Sequence, residues 1–146
     1  MRSCWLVLVC AACGGEGDDE EMVDCDKVTG TDTFVVGLEK AGGSGALTFK
    51  LLSATPAPPA RGNNTWIVQV NKQADQTALD GATIKVTPFM PSHQHGTGVP
   101  VEVAPMSGGQ YQLSPVNLWM QGVWETTIRA TLDTTTDSAV YKFCVE

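Results

Sequence analysis

The sequence predicts an all-β, Ig-like β-sandwich of about seven or eight strands. Three observations carry that expectation. Short runs rich in Val, Ile, Thr and aromatic residues recur from Thr33 to the C-terminus, separated by clusters of Gly, Pro and Asn. Several of these runs alternate between apolar and polar positions, which is the period of a strand buried on one face. No stretch carries convincing helical spacing of its apolar residues. A closed barrel is the competing architecture for the same pattern.

Taken in order, Phe34-Val35-Val36-Gly37-Leu38 is the first expected strand, and Gly42-Gly43-Ser44-Gly45 is the turn after it. Leu47-Thr48-Phe49-Lys50-Leu51-Leu52 is the second. The stretch from Pro56-Ala57-Pro58-Pro59 to Gly62-Asn63-Asn64 reads as a loop, because proline cannot donate a hydrogen bond and does not extend a helix. In residues 65–71, Trp66, Val68 and Val70 share a face. Asp80-Gly81 marks a turn, after which Ile84 and Val86 point inward while Thr83, Lys85 and Thr87 point outward. Residues 99–103 and 110–118 are two further strands. The cleanest alternation sets Trp124, Thr126, Ile128, Ala130 and Leu132 against Val123, Glu125, Thr127, Arg129 and Thr131. In residues 139–145, Tyr141, Phe143 and Val145 lie on one side and Cys144 on the other, beside Lys142 and near an edge.

A length of 146 residues suits one domain. With 42% hydrophobic and 17% charged residues the chain matches neither a disordered segment nor a membrane bundle. Nine Lys and Arg against 16 Asp and Glu give a net charge of -7, and no basic run is present. Nucleic acid is therefore not an expected partner.

The N-terminus reads as a targeting segment. Arg2 precedes the apolar Trp5-Leu6-Val7-Leu8-Val9-Cys10-Ala11-Ala12, which is too short to span a bilayer as a helix. Ala11-Ala12-Cys13-Gly14-Gly15 resembles the bacterial lipobox, with Cys10 where Leu is usual. Residues 1–12 are thus expected to be a lipoprotein signal peptide and Cys13 the lipidated residue. An ordinary secretory signal cleaved near Ala12 is the alternative. Residues 13–30 are expected to form an acidic, flexible tether, and residues 31–146 the folded domain. The run Glu16, Asp18, Asp19, Glu20, Glu21, Asp24 and Asp26 lacks the spaced ligands of a calcium loop. Such a protein would sit in the cell envelope, periplasmic or outer-membrane facing, with the membrane as its first partner.

Beyond Cys4, Cys10 and Cys13, the cysteines are Cys25 and Cys144. Two thiols exported to an oxidising compartment tend to pair, so a structural disulfide is expected. A redox pair or a two-thiolate metal site is the alternative, but Asp24 and Asp26 flank Cys25 and disfavour a reactive thiolate.

Only Phe89-Met90-Pro91-Ser92-His93-Gln94-His95-Gly96 looks unlike scaffold, and it holds both histidines of the chain. In an extended segment, residues i and i+2 project to the same side, so His93 and His95 can converge on one ion. Imidazole is the commonest transition-metal ligand, and a thioether adds a soft donor suited to Cu(I). Met90, Met106 and Met120 are possible third ligands. The competing reading is a solvated pair of histidines beside methionines that fill core gaps.

Trp66-Ile67-Val68-Gln69-Val70, Asp80-Gly81-Ala82-Thr83-Ile84, the Met90-Pro91-Ser92-His93-Gln94-His95-Gly96 loop, Gly108-Gly109-Gln110-Tyr111 and Met120-Gln121-Gly122-Val123-Trp124 occur in that order. Over about residues 65–132 this succession resembles the YtkA-like family, which is related to FixH-like proteins. Many members carry Gly where this chain has Gln94. The resemblance implies an extracytoplasmic Ig-like domain, lipid-anchored or membrane-attached, that handles copper around respiratory oxidases. It implies His93 and His95 as ligands of a copper ion, Met90 and Met120 as their partners, and an envelope protein partner such as a copper-dependent oxidase assembly factor.

An enzyme is not expected. Both imidazoles sit on one loop, and no nucleophile elbow or phosphate loop appears. Zinc hydrolysis needs a third hard ligand, and nothing places Asp80 or Glu102 in that role. Trp66, Trp119 and Trp124 read as core before they read as a sugar or peptide groove. The alternative function is a metal-free interaction or structural module of the cell envelope.

Overall fold

The computed structural model describes residues 22–146; the expected signal peptide, Cys13 and most of the acidic run lie outside the described residues. The described strands are β1 (Leu38–Ala41), β2 (Leu47–Thr55), β3 (Gly62–Lys72), β4 (Thr83–Met90), β5 (His95–Gly96), β6 (Glu102–Pro105), β7 (Gln110–Leu118), β8 (Gly122–Leu132) and β9 (Thr135–Val145). Alternation in the sequence becomes alternation in burial: Trp66, Val68 and Val70 of β3 are buried, as are Trp124, Thr126, Ile128 and Ala130 of β8. Nine strands replace the expected seven or eight because the histidine loop adds the two-residue β5.

These strands make two antiparallel sheets, in the orders β1-β2-β3-β7-β6 and β5-β4-β8-β9, that are not closed into a barrel. The fold is a β-sandwich. Its interior is filled by the inner faces of both sheets, with Trp66, Trp124, Tyr111, Tyr141 and Phe49 as the largest buried rings. Trp66 stands edge-on to Phe143, with centroids 5.6 Å apart. The Tyr141 hydroxyl donates to the Phe49 and Leu38 carbonyls of the other sheet, at 2.9 and 3.2 Å, locking the layers together. Burial of such rings contributes on the order of 2–3 kcal/mol each, which is the main support of the fold.

Two strand expectations are corrected. Residues 34–38 form a turn instead of a strand: the Leu38 amide bonds to the Val35 carbonyl, Gly37 takes φ 83°, and pairing begins only at Leu38. Phe34 packs edge-on against Phe143, so this segment closes the side of the sandwich and leaves Val35 and Val36 exposed. Residues 99–103 pair only from Glu102 onward. Pro100 has no N–H to offer, and the Thr97 hydroxyl ties up the Val99 amide.

Strand β9 is an edge of its sheet, and an edge left open invites pairing with another chain. Here the N-terminal segment covers it. Cys25, in a short 3-10 turn (Cys25–Lys27), is disulfide-bonded to Cys144 across 119 residues, with Cα atoms 5.6 Å apart. Further along, the Asp32 amide donates to the Lys142 carbonyl and the Lys142 amide donates back to the Asp32 carboxylate, both at 2.7 Å. The last part of the expected tether is thus fastened to the domain.

Candidate metal site

The end of β4, the start of β8, the end of β7, the start of β3 and the end of β9 all lie at one end of the sandwich. The histidines are there, on the β4–β5 hairpin. Met90 and His95 oppose each other in its ladder, leaving residues 91–94 as the loop. The His93 amide bonds to the Met90 carbonyl and the Gln94 amide to the Pro91 carbonyl, both at 3.3 Å, so the chain reverses through overlapping turns. Gln94 closes the loop at φ 55°, and its side-chain amide bonds to the Pro91 carbonyl. That left-handed backbone is the one glycine adopts most cheaply.

The two imidazoles do come together, with ring centroids 5.7 Å apart. Metal–nitrogen bonds of about 2 Å place two imidazoles of one ion with centroids about 5–6 Å apart, so the spacing suits a shared ion. The reason differs from the extended i, i+2 geometry expected: His93 stands in the turn and His95 in β5, and the reversal of the chain brings them together. His93 is exposed and takes no side-chain hydrogen bond among the described residues. It borders a hollow of about 380 Å³ with Pro91, Gln121, Val123, Glu125 and Val23 of the N-terminal segment. Glu125 is engaged with Lys142 at 2.7 Å, and that bond holds the Lys142 ammonium above its ordinary value.

His95 is half-buried. Its ring stacks on Trp119 (centroids 5.3 Å apart, planes 20° apart) and meets Trp124 at a steeper angle at 6.2 Å. Nδ1 lies 3.1 Å from the Gly96 carbonyl. With the proton on Nδ1 and donated there, Nε2 keeps the lone pair a metal requires.

Of the three methionines, Met90 has the firmest claim. Directly opposed residues of an antiparallel pair project to the same face, with Cβ atoms about 5 Å apart, so Met90 and His95 share a face of the hairpin. Met90 is fully buried, and Gly122, at φ 126°, leaves room for it: a Cβ there would sit 3.3 Å from the Met90 methyl. Met120 is half-buried in the turn between β7 and β8, and its carbonyl accepts the Trp124 indole N–H at 2.8 Å. Met106 is not brought to the loop. It precedes β7 at the far end of a nine-residue strand, about 30 Å long, whose other end reaches Trp119. Among the described residues, no three His, Cys, Asp or Glu side chains gather at one point.

The remaining motifs have structural work. The Tyr111 hydroxyl donates to the Leu79 carbonyl and accepts from the Ala82 amide at 2.9 Å, pinning the turn before β4. Gly109 lies so close to β3 that a Cβ would stand 2.6 Å from the Val70 carbonyl oxygen, and its amide bonds to Asp80 at 2.7 Å. Trp66 and Trp124 are core, as expected. Trp119 is not: it is 47% exposed, and its contact with His95 has no signal in the spacing, since 24 residues part them and only the topology joins them.

A model of the YtkA-like family matches residues 43–129, more than half of the chain, and extends the likeness back through β2. No curated protein and no solved structure matches the chain. With the fold and the order of motifs, this places it: the chain belongs to the YtkA-like family.

Proposed function

We propose that this protein is a non-catalytic, lipid-anchored domain of the cell envelope that binds copper through His93 and His95, with Met90 or Met120 as the sulfur donor. The observation that carries this reading is the pair of imidazoles 5.7 Å apart, with a methionine opposite His95 across the ladder and, among the described residues, no hydrogen bond from either ring beyond that of His95 to Gly96. Two neutral nitrogens and a thioether are a soft, low-charge set that suits copper better than magnesium, calcium or a hydrolytic zinc. Copper held there would be available for transfer, because His93 remains at the surface.

The anchor supports the same reading. Met22 and Val23 adjoin Gln121 at the histidine end, so nine residues separate a lipid on Cys13 from this end of the sandwich. Even fully extended, that chain reaches only about 30 Å. A partner of the loop is then a membrane protein or one held at the membrane, such as an assembly factor for a copper-dependent oxidase. The exposed Met22 and Trp119 favour a second reading, a metal-free interaction module that uses the same end.

Copper titration decides between them. Cu(I) and Cu(II) affinities, measured against competing chelators, are expected to collapse in the His93→Ala/His95→Ala variant and to weaken in acid, where protonated imidazole has no lone pair to give. Equal affinity in wild type and variant removes the loop from the reading.

A further inference from the structure

We propose that Trp119 is a specificity-determining residue of this site, its indole face set against an ion held by His95 so as to favour univalent over divalent copper. The inference rests on the copper reading. An ion bound to a ring nitrogen lies in the plane of the imidazole. The Trp119 indole is nearly parallel to that plane, at 20°, with centroids 5.3 Å apart, so its face borders the space beside His95 in which such an ion would sit.

The placement is built. Arg61 Nε donates to the Trp119 carbonyl at 3.0 Å, and the next carbonyl, that of Met120, accepts from the Trp124 indole at 2.8 Å. The two peptide units that follow the ring are therefore held. The indole leaves nearly half of its surface in water, and its ring stacks on the His95 imidazole.

The electron-rich indole face attracts a desolvated cation, and Trp is the strongest aromatic partner of this kind. Cu(I) is satisfied by two or three soft donors and loses its water readily, so an apolar aromatic face suits it as a cover. Cu(II) prefers four or more nitrogen and oxygen ligands in a tetragonal plane, and an indole there replaces water it would otherwise keep. One side chain thus supplies attraction to one oxidation state and obstruction to the other. The sulfur of Met90 or Met120 acts in the same direction.

The test compares the whole protein with Trp119→Leu and Trp119→Phe, each titrated with Cu(I) and Cu(II) against competing chelators. Trp119→Leu is expected to weaken Cu(I) binding roughly 3- to 30-fold while leaving Cu(II) binding unchanged or stronger, with Trp119→Phe between Leu and wild type. Cu(I) is also expected to quench tryptophan fluorescence in the wild type, and most of that quench to vanish in Trp119→Leu. Far-UV circular dichroism identical to wild type separates the effect from misfolding. Equal Cu(I) affinity in wild type and Trp119→Leu overturns the role of the indole and leaves copper binding intact. Equal weakening of both oxidation states overturns the selectivity. Wild type that binds neither ion overturns the copper reading itself.

Discussion

Two corners at opposite ends of the sandwich, the Asp80–Tyr111 corner and the histidine loop, use their polar side chains differently. At the end holding Asp80, Gly109, Tyr111 and Asp137, the polar side chains are spent on the backbone. The Asp137 carboxylate, buried beside Gly42, accepts amide hydrogen bonds from Ser44, Ala46, Leu47 and Ser138 at 2.9–3.0 Å. At the other end, the His93 ring is without a hydrogen bond among the described residues and the His95 ring has one, to the Gly96 carbonyl. A side chain that the scaffold does not need is available to a ligand. Position in a shared motif does not make that distinction: Gly-Gly-x-Tyr and Met-Pro-x-His-x-His both belong to the resemblance, yet the second gives the core Met90 and leaves its imidazoles uncommitted.

Glycine substitution breaks the comparison most sharply. Gly109→Ala puts a methyl group against the Val70 carbonyl at φ 68° and is expected to destabilise the protein by about 3 kcal/mol, through left-handed strain plus overpacking. Gly98→Ala, beyond β5 with nothing within 4 Å of the added methyl, is expected to change stability by less than about 0.5 kcal/mol. Urea unfolding of the pair measures both, and equal losses would show the loop end to be as tightly constrained as the other.

Acid sharpens the same contrast. Burial opposes the charge on Asp137, but the amides of Ser44, Leu47 and Ser138 outweigh it and lower its pKa to about 2. A carboxyl whose folded pKa lies below its unfolded value contributes stability that is complete above about pH 4 and lost as pH falls toward 2. That loss is expected to be on the order of 2 kcal/mol. Asp137→Asn should flatten the corresponding part of the pH–stability curve, and an unchanged slope would contradict the cradle.

The smallest effect is expected where the function is proposed. His93→Ala/His95→Ala should shift the stability of the metal-free protein by no more than about 1 kcal/mol, the loss of one His95 stack on Trp119 included, while removing copper binding. A large loss of stability would return the histidines to the scaffold. Added Cu(I) should raise the melting temperature of wild type alone, since only a ligand of the native state stabilises it.

Much of the fold was legible in the sequence because burial on one face imposes a period of two, as in Trp66-x-Val68-x-Val70 and in Trp124 to Ala130. Phe34-Val35-Val36 misled because β-branched residues favour strands wherever they stand, and here the pairing partner came only at Leu38. The Cys25–Cys144 bridge followed from the cysteine count and the expected export. Half of the candidate site was legible too, in a spacing that names His93 and His95. Trp119 and Arg61 were not, because tertiary structure alone lays the β7–β8 turn against the β4–β5 hairpin.

Copper X-ray absorption on the loaded, disulfide-bonded protein bears most directly on that uncommitted loop. Two imidazole nitrogens at about 2.0 Å and one sulfur at about 2.3 Å from Cu(I) are the expected shell. A shell of oxygen donors alone, or one unaltered by His93→Ala/His95→Ala, contradicts it.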